Sequence, residues 1–115
     1  MPLPDEVDRE LAELRKAYAR ELPEKIRRIE MACESFFSQG WDLDRCTAAC
    51  RSAHSLAGSS GTYGFGELGK IAKSLEVLIG SSLDRKTPLD APQIETARKH
   101  LAALREGAVA AAAQA

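Results

Sequence analysis

Apolar residues recur every three or four positions along most of this chain. Leu11, Leu14, Tyr18, Leu22, Ile26, Ile29, Cys33 and Phe36 form the first such stripe, the spacing that one face of a helix requires. Pro23 lies inside it; a proline removes one intrahelical donor and crowds the preceding turn, yet the stripe keeps its phase across it. The pattern predicts a kinked continuous helix over about residues 5–38, with two helices meeting near Leu22 as the alternative, and Gly40 as the glycine that ends it.

Asp42 is placed to cap a second helix running through about Gly61, and residues 62–64 read as a turn. A third helix follows with Phe65, Leu68, Ile71, Leu75 and Leu78 on its inner face. Residues 80–90, with Gly80, paired serines and Pro88, read as a polar loop. A fourth helix starts at Asp90, where Gln93 completes a capping box, and Ile94, Ala97, Leu101 and Leu104 form its apolar face. No segment alternates with the period of a strand. The predicted fold is all-α, an antiparallel four-helix bundle with a kinked or split N-terminal helix. Residues 1–106 form the domain, and residues 107–115 read as an Ala-rich tail or linker with no core-facing pattern.

Composition narrows the function classes. At 115 residues the chain is one domain by length. With 16 Lys plus Arg against 17 Asp plus Glu, the net charge is -1, whereas nucleic-acid binding calls for a basic stripe. No apolar run reaches the ~20 residues that span a bilayer, and the first nine residues lack the apolar core of a secretory signal. Three cysteines without framework spacing argue for reduced thiols and a cytoplasmic location.

Candidate chemistry concentrates in the second helix. Cys46, Ala49, Ala53, Leu56 and Ser60 form its small-apolar stripe. At ~100° per residue, His54 points about 120° away from the middle of that stripe, toward solvent. Gly58 lies one turn beyond His54 on the same face, and Gly61 lies near it. Glycine in a helix interior costs about 1 kcal/mol relative to alanine, so two on one outward face suggest that a partner approaches the imidazole closely. Unperturbed histidine titrates near about 6.5, so a neutral nucleophilic nitrogen is available near neutral pH. Nothing in the sequence positions a nucleotide or a metal.

The segment Ala53-His54-Ser55-Leu56-Ala57-Gly58-Ser59-Ser60-Gly61-Thr62-Tyr63-Gly64-Phe65-Gly66-Glu67-Leu68, followed by Leu75-Glu76, closely resembles the signature of histidine-containing phosphotransfer domains. That signature is His-x-Leu-x-Gly-Ser-Ser/Ala, a Gly ten residues after the His, a Leu four beyond it, and Leu-Glu at the end of the next helix. The resemblance implies that His54 accepts a phosphoryl group on Nε2, that Gly58 keeps the site open and that Gly64 makes the interhelical turn. It implies a phosphorelay carrier, not an enzyme, exchanging the group with an aspartate of a response-regulator receiver domain and supplied by a sensor or hybrid histidine kinase. No cofactor is expected on this chain; Mg2+ is expected on the receiver. One position departs from the pattern. Ala57 stands where the family usually has a Lys that helps to hold the phosphoryl group. Arg51, one turn before His54, is the nearest substitute cation, with Lys70 and Lys73 behind it. Ser55, Lys70 and Lys73 are expected to face the partner, which would lie across the second and third helices.

Plainer readings compete at several positions. His100 has no constellation around it and reads as an ordinary surface or core histidine. Gly64-Phe65-Gly66-Glu67-Leu68-Gly69 satisfies G-x-G-x-x-G, but a dinucleotide site needs a preceding strand. Cys46, Cys50 and His54 line one helix flank and could offer zinc ligands, although three ligands in a straight line do not surround one ion; small cysteines more commonly fill cores. Phe36, Phe37 and Trp41 read as a staple at one end of the bundle. Glu76 reads as a solvated helix residue, or, from its family position, as a polar group near the phosphorylation surface or in a helix contact. The alternative function is a helical docking or metal-binding bundle whose histidine is not phosphorylated.

Overall fold

A computed structural model describes residues 4–115, so the first three residues of the segment excluded as a signal lie outside it. Four helices follow in chain order: α1 (Pro4–Ser38), α2 (Leu43–Thr62), α3 (Gly66–Arg85) and α4 (Ala91–Ala113). Each packs on its neighbours in sequence and α1 also packs on α4, which closes a ring of four around one core. The described residues contain no strand.

The helix starts follow from local chemistry. The Asp42 carboxylate accepts a hydrogen bond of 2.9 Å from the backbone N–H of Arg45. At α4, Asp90 and Gln93 bond reciprocally at 2.8 and 2.9 Å, the expected capping box. α3 has no side-chain cap. It is set instead by the turn before it, where Phe65 N donates to Ser60 O at 2.7 Å and Gly64 takes a φ of +85°, a conformation open to glycine and costly for other residues.

α1 runs unbroken through Pro23, so the two-helix alternative is not what forms. Tyr18, Leu22, Ile26, Ile29, Cys33 and Phe36 are all buried, as the stripe predicts, but Leu11 and Leu14 are 58% and 53% exposed. Length explains the difference. At ~1.5 Å per residue, the 35 residues of α1 outrun the 20 of α2 and of α3. The first turns therefore project beyond those two helices, with an apolar side chain and no helix to bury it.

Two further expectations are corrected. Residues 80–85 belong to α3, which reaches Arg85 before Lys86 turns it off in the left-handed region at φ 53°. Gly80 lies against Cys50 of α2, and buried Ser82 satisfies its hydroxyl by donating to the carbonyl of Thr87. Their composition reflects close packing rather than a loop. Likewise, the segment from Gly107 is no patternless tail: it continues α4 to Ala113, buries Ala108 and seats Gly107 directly on Leu68.

Candidate functional site

The buried residues of α2 are Cys46, Ala49, Ala53, Leu56 and Ser60, the stripe read from the sequence, and so His54 is turned outward. Its side chain is 72% exposed. A Cβ placed on Gly58 or on Gly61 would meet nothing within 4 Å, which leaves the crest of α2 around the imidazole uncovered.

α2 and α3 run antiparallel with a fixed register. Cys46 Sγ lies 3.8 Å from Ile79 O, Cys50 Sγ lies 3.9 Å from Glu76 O, and a Cβ on Gly69 would stand 3.2 Å from the carbonyl of Ala57. Each turn forward along α2 matches a turn back along α3. The missing side chain at Gly69 lets the two backbones meet one turn from the histidine. The far end of α2 is tied to α1 by Tyr18, whose hydroxyl shares hydrogen bonds with Ser59 at 2.6 Å and Ser60 at 3.0 Å. Its ring stacks on Tyr63 of the α2–α3 turn at 4.6 Å.

This register brings Glu76 under His54. Glu76 Oε2 lies 2.6 Å from His54 Nδ1, while Oε1 accepts from Lys73 Nζ at 3.2 Å. The Glu76 side chain is only 16% exposed. Burial pushes its carboxyl upward, and the hydrogen bonds from His54 and Lys73 outweigh that effect, so it titrates below the ordinary value of 4.5. An ionised carboxylate can only accept, so Nδ1 must carry the proton in this contact. In the neutral ring, Nε2 is then left with its lone pair facing solvent.

Leu75-Glu76 thus lies within α3, nine residues before its end at Arg85, not at its terminus. The reading of Glu76 as a solvated residue is replaced by a direct contact with the candidate phosphoacceptor. The family position was the only signal in the sequence that pointed there, because the pairing spans 22 positions and depends on the helix register.

The remaining candidates divide between two flanks. Lys73 is engaged with Glu76 and Lys70 with Glu67 at 3.3 Å, both on α3. Arg51 and Ser55 are exposed on the opposite flank of α2, and no acidic partner for Arg51 occurs among the described residues. Ala57 is half-buried against the core. Cys46 and Cys50 point at carbonyls of α3 rather than converging with His54. Burial raises the thiols of both, and pushes that of Cys33 to about 12. Among the described residues, no three His, Cys, Asp or Glu side chains come together as a metal site.

The outward imidazole, the open glycine crest and the carboxylate on Nδ1 coincide with a sequence-family match: the family model of the Hpt domain covers residues 5–107. The chain belongs to the Hpt domain family. As an Hpt domain it is a helical bundle of the histidine-phosphotransfer, two-component phosphorelay class. No curated protein and no solved structure matches the chain. Among the described residues, no helix is long and apolar enough to cross a membrane.

Proposed function

We propose that this Hpt domain is a phosphorelay carrier in which Nε2 of His54 accepts a phosphoryl group from a sensor or hybrid histidine kinase. It then exchanges that group with an aspartate of a response-regulator receiver domain. The observation that carries this reading is the pairing of His54 Nδ1 with Glu76 at 2.6 Å beneath an exposed ring. The contact fixes the tautomer whose free nitrogen points at an incoming partner. In the forward step an Nε2–phosphorus bond forms as the donor's bond to phosphorus breaks. The ring charge that develops is met by the Glu76 carboxylate. In the onward step an aspartate oxygen forms the new bond and Nε2 leaves with its electron pair, regenerating the neutral ring. As a carrier the domain relies on the receiver for the groups that activate the attacking carboxylate, including the Mg2+ that neutralises phosphoryl oxygens, and the cytoplasm is where such partners reside.

The test uses phosphoramidate as a chemical phosphoryl donor, followed by a purified receiver domain. The wild-type protein is expected to gain an acid-labile label and to lose it to the receiver. His54→Gln is expected to take up no label while keeping its helical circular dichroism, and His100→Gln to behave as wild type. Full labelling of His54→Gln would sink the assignment.

A further inference from the structure

Seven large apolar side chains stand exposed among the described residues. Met31, Leu43, Val77 and Val109 are scattered, one to each helix. The other three lie together in the first turns of α1: Val7, Leu11 and Leu14. Their spacing of four and then three, continued by Tyr18, is that of the a and d positions of a coiled-coil seam. Tyr18 is buried and stacks on Tyr63 and Phe65 at the α2–α3 turn; beyond it the seam runs free. The overhang is long. The molecule's greatest dimension is 53 Å, which is the length of α1 alone, since its 35 residues span about 52 Å at ~1.5 Å per residue. Ala12 and Lys16 share a groove with Ala111 and Ala115, so α4 also stops there. The first two turns of α1 have no helix beside them.

Charge is segregated along the same stretch. Residues 5–10 hold Asp5, Glu6, Asp8 and Glu10 against Arg9, whereas residues 15–20 hold Arg15, Lys16 and Arg20 and no acid. Among the described residues, none of those four carboxylates is in an ion pair, and neither is Arg15 or Arg20. Lys16 is a loose 3.8 Å from Glu13. Asp8 and Arg15 are two turns apart and so lie along the same flank of the seam. The Arg15 guanidinium is held at the foot of the overhang, 4.8 Å from the centre of the Phe65 ring.

We propose that a second copy of this chain covers the seam, the two α1 overhangs packing antiparallel about a two-fold axis near Leu11. Val7 of each copy then meets Leu14 of the other, and Asp8 of each faces Arg15 of the other. The acidic start of one α1 thus lies against the basic stretch of its mate, twice over, as an isologous interface requires. The fold dictates the direction. The seam continues the core face of α1, so α2 and α3 occupy that same side from Tyr18 onward. In a parallel pair the two bundles would fill the same space and acidic turns would lie side by side. In an antiparallel pair the bundles sit at opposite ends, and the turn at Tyr63 and Phe65 stops the incoming helix. His54 lies eight residues before Thr62 at the end of α2, roughly 12 Å down the helix, so the dimer leaves both imidazoles open.

Sedimentation equilibrium of the whole chain tests this. An interface well under about 1,200 Å² belongs to the weak class, so a dimer with a Kd on the order of 10–100 μM is expected. Leu11→Gln combined with Leu14→Gln should raise that Kd by roughly tenfold or more while the helical circular dichroism is kept, because both side chains are exposed in the single chain. Val77→Gln, which removes an equally exposed side chain from α3, should leave it unchanged. Asp8→Arg and Arg15→Glu should each weaken the dimer, and the two together in one chain should bring the Kd back close to the wild-type value. Dilution followed by NMR should move the signals of Val7, Leu11, Leu14 and Phe65 and leave those of His54 in place. A chain that stays monomeric at millimolar concentration would overturn the proposal and leave the seam to a different protein. So would a dimer indifferent to the double glutamine variant, a double charge reversal that fails to restore association, or dilution shifts centred on His54.

Discussion

The carboxylate of Glu76 holds Nδ1 of His54 at 2.6 Å although 22 positions separate the two in the chain. The contact joins α2 to α3 at the point where the chemistry is proposed to occur. It also makes the protonation of one group the condition for the other's geometry.

Glu76→Ala removes that acceptor and frees both tautomers of His54. A hydrogen bond to a charged group is worth about 1.5–3 kcal/mol, so labelling by phosphoramidate should slow by roughly tenfold or more. Nitrogen-detected NMR should show the Nδ1-protonated tautomer losing its dominance. Glu76→Gln keeps an acceptor oxygen and should fall between the two. Because the folded carboxyl titrates below 4.5, its contribution to stability is fully present above that pH. It is lost as pH falls through the lower folded value. Urea midpoints measured from pH 6 to about pH 2 should therefore show a steeper acid decline in wild type than in Glu76→Gln.

Two glycines near the site should answer the same substitution in opposite ways. Gly58→Leu meets open space and replaces a poor helix former, so stability should hold or rise by up to about 1 kcal/mol. Transfer to the receiver should slow because the side chain overhangs the imidazole. Gly69→Leu drives a side chain into the backbone of α2, where even a Cβ would stand 3.2 Å from Ala57 O. Overpacking of this kind costs about 1–3 kcal/mol. Unfolding in urea combined with transfer kinetics checks both; a destabilised Gly58→Leu would contradict the openness of the crest.

Tyr18→Phe deletes the hydroxyl that ties α1 to Ser59 and Ser60. Ser60 is fully buried and Tyr18 is its hydrogen-bond partner, so the variant leaves a buried hydroxyl unpaired at a cost of about 1–3 kcal/mol. The urea midpoint should fall accordingly. Phosphorylation of His54 should change little, since Tyr18 lies on the far side of α2 from the imidazole.

Ala57→Lys restores the cation that the family usually carries. A phosphoryl group bears about two negative charges near neutral pH, and an exposed charge pair is worth ~0.2–1 kcal/mol. Phospho-His54 should therefore persist up to a few-fold longer, with the lysine stem lying along the surface beside half-buried position 57. Decay rates of the phosphorylated wild type, Ala57→Lys, Arg51→Ala and the double variant check this. If Arg51 takes no part in holding the phosphoryl group, Arg51→Ala leaves the decay rate unchanged. If it holds that group, its effect shrinks in the Ala57→Lys background.

The sequence by itself determined what depends on neighbours along the chain. Caps at Asp42 and Asp90, the outward turn of His54 and the buried set Cys46, Ala49, Ala53, Leu56 and Ser60 follow from a period of 3.6 and short-range hydrogen bonds. The tertiary structure decided what depends on distance between helices. Leu11 and Leu14 share the periodicity of Tyr18, but they are exposed because α1 outruns α2 and α3. Ser82 and Gly107 look like loop and tail residues and are instead packed because α3 and α4 meet other helices there. Glu76 reaches His54 only because the turn at Gly64 and the close approach at Gly69 fix the α2–α3 register. Arg51 and Lys73, equivalent as nearby cations in the sequence, fall on opposite flanks of the histidine. Helical periodicity sets the direction of each side chain, whereas burial and pairing are set by the helix that lies opposite.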